Sequence, residues 1–292
     1  MNTPLLSQVT GRRAVLRGVV GTAVAVAWQG FPMLSWSQQA AGQLAGVDRW
    51  RLLINEAVTA DLSISMLALR YRGLADYLGG QIRNKQVVVD PVIDIQNFVR
   101  QASSDQKPLM VFGKSVNQLS KLVRDGGYQP LVRRPEPYKA AFIVNNNSPI
   151  SSIGQLSGKK ILMPDESSAT VAVARAEMRR MNVREPYISY TRYQDSVSAQ
   201  VAAGLAEVGA VNPTIARKWQ ESGGRVIGET LPVVNWSVLA APGVPADMIS
   251  RLQDSLMAMN SQSAGIMTEI GVKQWVKADR KEYLALLDYT RE

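Results

Sequence analysis

The strongest constraint on this chain is an alternation of short apolar runs with longer segments carrying apolar residues every three or four positions. Short fully apolar runs suit strands buried on both faces, and the helical spacing suits helices that cover them. Residues 50–54 read as a first strand and 63–78 as a helix stopped by Gly79-Gly80. Residues 86–89, 93–102 and 108–112 read as strand, helix and strand, and a helix ends near 124. A strand at 128–132 meets the break Arg133-Arg-Pro-Glu-Pro137, and a longer strand spans 138–144. The alternation then restarts, with strands at 160–163, 187–190, 208–211 and 225–227 and helices at 169–181, 196–203 and 213–221. A strand at 236–241, a helix at 246–259 and two short helices within 266–289 complete the chain. The pattern predicts two α/β lobes, each a sheet flanked by helices, with two hinge crossings near 138–144 and 234–241. Ligands of open α/β sheets bind beyond the carboxyl ends of the strands, so the expected site is the cleft between the lobes.

Composition narrows the chemistry. The 292 residues include no cysteine and no histidine. Disulfides, thiolate nucleophiles, histidine triads and nearly all zinc, copper or haem sites are thereby excluded, and no cofactor is expected. Lys and Arg outnumber Asp and Glu by 33 to 24, but the charges past residue 45 are interspersed. Without a basic stripe interleaved with aromatics, nucleic acid is not an expected partner.

The first 45 residues stand apart, with Arg12, Arg13 and Arg17 and no acidic residue. Thr10-Gly-Arg-Arg-Ala-Val-Leu-Arg17 resembles the twin-arginine export signal of bacteria. The apolar stretch 18–27 follows it, and small residues at Ala40, Ala41 and Ala45 suit a signal peptidase. A cleaved signal over 1–45 and a periplasmic location are expected.

Pro164-Asp-Glu-Ser-Ser-Ala-Thr170 joins a strand to a helix. Such a turn offers first-turn N–H groups, a positive dipole end and hydroxyls to an anion. The same residues also suit a plain helix cap, and this stretch alone leaves both roles open. Gly113-Lys-Ser115 closes a phosphate-loop pattern, but Pro108 stands where that pattern needs its first glycine, so nucleotide hydrolysis is not expected. Glu56 follows the first strand and is expected to face the cleft in such a fold, although solvation alone also accounts for a carboxylate there. Arg70 and Arg72 read as a solvated helix face, and Trp236 as packing at a crossing.

Tyr138-Lys-Ala-Ala-Phe-Ile-Val144 with Ser148-Pro-Ile, Leu156-Ser-Gly-Lys159 and the Asp165–Thr170 turn resembles the phosphonate-binding (PhnD-like) branch of periplasmic substrate-binding proteins. Gln194-Asp-Ser-Val, Glu207-Val-Gly-Ala-Val211 and Pro242-Gly-Val-Pro245 fit the same order. The resemblance covers about 50–259. It implies the two-lobe type 2 periplasmic-binding fold: mixed sheets flanked by helices, with 46–137 plus 242–292 as one lobe and 138–241 as the other. It also implies that Ser168 and Thr170 hold the two serine positions of an oxyanion-gripping turn, with Ala169 replacing the threonine between them. Gln194 and Asp195 stand for a His-Glu pair, and Phe112 stands for a tyrosine. The expected ligand set is Ser167, Ser168, Thr170, Gln194, Asp195, Asn212, Phe112, Lys114, Ser115 and Glu56. The implied function is a monomeric, non-enzymatic, exported binder of a small oxyanion (phosphate-, phosphonate- or phosphite-like) serving an ABC permease. A ligand-sensing subunit partnered with a membrane sensor is the alternative, and an enzyme on the same fold is a third reading.

Overall fold

The computed structural model describes residues 48–57, 63–82 and 85–292. The expected export signal and its cleavage point lie outside these residues. The chain runs β1 (Asp48–Asn55), α1 (Ile64–Gln81), β2 (Lys85–Pro91), α2 (Ile95–Ala102), β3 (Met110–Gly113), α3 (Val116–Arg124) and β4 (Gln129–Arg133). It continues through β5 (Ala141–Val144), β6 (Lys160–Met163), α4 (Ala169–Arg180), β7 (Tyr187–Tyr190) and α5 (Gln194–Ala202). Then come β8 (Val208–Val211), α6 (Pro213–Glu221), β9 (Arg225–Glu229) and β10 (Ser237–Ala240). The chain finishes with α7 (Ala246–Gln262), α8 (Ala264–Glu269), β11 (Val276–Lys277) and α9 (Arg280–Thr290).

Two mixed sheets result. The first has the order β11-β4-β10-β3-β1-β2 and the second β7-β6-β8-β5-β9. β1 pairs in parallel with β2 and β3, and β10 inserts antiparallel between β3 and β4. In the second sheet β6 is parallel to β7 and β8, whereas β5 is antiparallel to β8 and β9. The short β11 was not expected, because a two-residue strand is too brief to show a period.

Alternation along each strand sends neighbouring side chains to opposite faces. Leu52 and Ile54 pack on one face of the first sheet with α1, α7 and α8, while Leu53 joins α2, α3 and α9 on the other. Phe142 and Val144 meet α4, and Ala141 and Ile143 meet α5 and α6. Every one of these strand residues is buried, each large one contributing about 1.5–3 kcal/mol of transfer free energy.

The crossings run through 134–140 and 230–236, a little before the expected positions, because 141–144 is a full member of the second sheet. Tyr138 and Val233 exchange both backbone hydrogen bonds at 2.9 Å, so the crossings pair as a single antiparallel bridge. Helix contacts add to this link. The carbonyl of Ser167 accepts from Asn117 Nδ2 at 3.2 Å and Gln118 Nε2 at 2.9 Å, both on α3. On α9, Tyr289 Oη donates to the buried Glu177 carboxylate of α4 at 2.7 Å, and Arg179 donates to the Thr290 carbonyl at 2.6 Å.

Candidate functional site

A cavity of about 470 Å³ lies where the strand ends of both sheets meet the crossings. From the second sheet it receives the starts of three helices: Ser168 to Thr170 at α4, Gln194 and Asp195 at α5, and Asn212 to Thr214 at α6. The first sheet contributes Glu56 after β1, Arg70 from α1 and Lys114 after β3, and the crossings supply Arg134, Tyr138 and Trp236.

Each helix start has a local cause. Ser168 is the N-cap of α4, its Oγ accepting from the Val171 N–H at 3.4 Å, and Asp165 Oδ1 shapes the turn by accepting from the Ser167 N–H at 2.8 Å. Asn212 caps α6 through Oδ1, which accepts from the Ile215 N–H at 2.9 Å, and Pro213 sits where no helix N–H is needed. Ser168 is therefore both a cap and part of the cavity wall. The first-turn N–H groups of α4 have no intrahelical partner.

Thr170 and Gln194 are nearly inaccessible and tie the three starts together. Gln194 Nε2 donates to Thr170 Oγ1 at 2.7 Å, while Gln194 Oε1 accepts the Asn212 N–H at 3.0 Å. The Tyr138 hydroxyl shares a 2.6 Å hydrogen bond with the same Thr170 Oγ1. Burial pushes the Tyr138 phenol up to about 12, against the effect of its hydrogen bond with Thr170, so it stays protonated. One oxygen of α4 is thus bonded to α5 and to a crossing, and through Gln194 to α6.

On the opposite wall Glu56, 4% exposed, is the centre of an ionic cluster. Its Oε1 accepts from Arg70 at 3.0 Å and from the Tyr71 hydroxyl at 2.7 Å, and its Oε2 accepts from Lys114 Nζ at 2.7 Å. Burial pushes the Glu56 carboxyl up, but the charge and hydrogen bond of Lys114, joined by Tyr71 and Arg70, hold it below its ordinary value. Lys114 Nζ lies 3.9 Å from the Trp236 ring centroid, and the Arg134 guanidinium 4.5 Å from it.

Of the expected residues, the structure brings Ser168, Thr170, Gln194, Asp195, Asn212, Lys114 and Glu56 to one cavity. It takes three away. Phe112 is fully buried on the core face of β3, its ring 5.2 Å from Tyr71 and 6.2 Å from Trp275, because alternation turns it from the cleft. Ser115 is buried at the start of α3, and Ser167 presents its carbonyl to α3. Arg70 was expected in solvent but lines the cavity beside Glu56, whereas Arg72 faces water with Asp76. Trp236, expected as packing, also lines the cavity. Arg134 and Tyr138 were missed as site residues; their only sequence signal was a position next to the Pro-rich break.

Among the described residues no group of three or more acidic side chains is placed to hold a metal ion, and no helix is long and apolar enough to cross a membrane.

A family model described as "ABC transporter, phosphonate, periplasmic substrate-binding protein" matches residues 57–283. Among curated proteins none matches the chain. Its fold is similar to that of PhnD1 from Prochlorococcus marinus in complex with methylphosphonate, with TM-score 0.67 and 16% identity over 82% of this chain and 97% of that one. It is also similar to XAC2383 from Xanthomonas citri bound to ATP, with TM-score 0.68 and 17% identity over 82% and 97%. The binding-protein component of an ABC phosphonate transporter from Pseudomonas aeruginosa (PA3383) gives TM-score 0.64 and 12% identity over 83% and 86%. These identities speak to fold alone, and the fold is the type 2 periplasmic-binding fold. The family match covers most of the chain, which belongs to the periplasmic substrate-binding proteins of phosphonate ABC transporters.

Proposed function

We propose that this member of the phosphonate-transport binding proteins captures a small oxyanion, phosphate-, phosphonate- or phosphite-like, in the cavity between its sheets and presents it to an ABC permease. The observation that carries the reading is the convergence of three helix starts, at Ser168–Thr170, Gln194–Asp195 and Asn212–Thr214, on one cavity. Each brings a positive dipole end to the cavity, and the first turns of α4 and α5 add N–H groups without an intrahelical partner, the arrangement that favours an anion. Asn212 Nδ2 has no partner among the described residues and is a further donor. When Tyr138 and Gln194 both donate to Thr170 Oγ1, the hydroxyl hydrogen of Thr170 is left for the ligand. The bridge between Tyr138 and Val233 supplies an axis about which the two sheets close. Export through the twin-arginine route, with the signal removed, completes the reading.

Thermal unfolding of the exported chain against phosphate, phosphite, methylphosphonate, sulfate, ethanesulfonate and acetate tests it. A true ligand at one hundred times its dissociation constant stabilises by about 2.7 kcal/mol. A panel in which no phosphorus oxyanion raises the midpoint sinks the proposal.

A further inference from the structure

We infer that the ligand carries a second acidic group on an organic tail, opposite its oxyanion head. This rests on the oxyanion reading above and narrows its substrate class. The first reason is size. A five-heavy-atom oxyanion fills roughly the space of three waters, about 90 Å³, against a cavity of about 470 Å³. Space beyond the helix starts is therefore available to a tail, which would reach the first-sheet wall.

The second reason is the charge of that wall. Arg70 and Lys114, with Arg134 from the adjoining crossing, line it against two carboxylates, Glu56 and Glu136, and Glu56 is already engaged. Glu56 accepts from Arg70, Tyr71 and Lys114, which fills the roughly four lone-pair positions a carboxylate offers. Arg134 has a weaker partner: its Nε donates to Glu136 at 3.4 Å, and Glu136 is about half exposed. Its terminal nitrogens make no hydrogen bond to the described residues, and Arg134 lines the cavity together with Lys114. Trp236 has both cations against its ring, so its π face is taken as well.

A ligand ammonium arriving here would meet three cations against two carboxylates, Glu56 with its lone pairs taken and Glu136 beside Arg134, so the balance of this wall is positive. A carboxylate or second oxyanion would take the terminal nitrogens of Arg134 in the paired geometry that guanidinium favours. The wall therefore selects the sign of the tail, and the helix starts select the head.

Calorimetry with three matched compounds separates the possibilities: propylphosphonate, 3-phosphonopropionate and 3-aminopropylphosphonate. The acidic tail should bind at least about tenfold more tightly than the neutral one, and the amino tail more weakly than the neutral one. Arg134→Gln should bring the ratio of acidic to neutral tail close to one, and Arg134→Lys should restore part of it. Equal affinity for all three, or preference for the amino tail, overturns this inference and leaves the oxyanion reading standing. Failure of all three to bind while phosphate, phosphite or methylphosphonate binds also overturns this inference alone, and failure of those small oxyanions as well overturns both.

Discussion

Lys114 Nζ donates to Glu56 Oε2 at 2.7 Å, and both side chains are less than a tenth exposed. The pair joins the loops after β1 and β3 at the first-sheet wall of the cavity. Two desolvated charges this close repay their burial only while both are present.

Removing one partner therefore costs more than removing both. Glu56→Gln leaves Lys114 and Arg70 against a neutral amide and should destabilise the protein by about 3–5 kcal/mol. The double variant with Lys114→Met should lose less than the sum of the two single losses. Urea unfolding of the four proteins measures the coupling, and strictly additive losses would show the pair to be energetically independent.

Acid should find the same weak point. Glu56 and Glu177 are both held below their ordinary value of 4.5: burial opposes this, but Lys114 outweighs it at Glu56, and Arg180 with Tyr289 at Glu177. A carboxylate with a lowered folded-state value contributes stability that is present above 4.5 and lost as the pH falls through the folded value. The melting temperature should be flat near neutrality and fall below pH 4.5, with a shallower acid limb in Tyr289→Phe, which weakens the grip on Glu177. Parallel acid limbs in the two proteins would remove Glu177 from this account.

Thr170→Val keeps the volume of the side chain and deletes its oxygen. Gln194 Nε2 and the Tyr138 hydroxyl would then be buried without a partner, at about 1–3 kcal/mol each. The variant should be less stable and should bind the oxyanion at least about tenfold more weakly, since the same oxygen aligns the helix starts. Ser168→Ala should cost only the cap, about 1 kcal/mol. Similar losses in the two variants would refute the linking role of Thr170.

Gly209, in the middle of β8, tests the packing beneath α5. A Cβ there would stand 2.7 Å from Val197 Cγ1 and 3.0 Å from both Ile143 Cγ1 and Val201 Cγ2. Gly209→Ala should therefore cost about 1–3 kcal/mol of overpacking. Gly154, with open space around its Cβ position, should accept alanine within about 0.5 kcal/mol. Chemical denaturation of both variants checks the contrast.

Much of the fold can be read from the sequence because its elements have strong local causes. The apolar run of β6, the turn ending in Ser168 and the helical period of α4 are all short-range patterns. The order of these patterns was also enough to mark the family. The helix starts at Ser168, Gln194 and Asn212 could be foreseen as neighbours, since each follows a strand of one sheet.

Side-chain direction and long-range partners were not local matters. Phe112 and Lys114 are two positions apart, yet one lies in the core and the other lines the cavity, because the strand ends between them. Arg70 reads as a surface residue on α1 until the fold carries Glu56 to within 3.0 Å of it. Thr170 looks like a ligand hydroxyl alone until the fold brings Tyr138, 32 residues away, and Gln194 to its oxygen, which makes it a link between elements as well. The sequence by itself determined most of the elements, their order and the family, since periodicity and turn chemistry act over a few residues. Only the tertiary structure decided which polar groups are spent on one another and which face the ligand, because those pairings depend on how two sheets and two crossings meet in space.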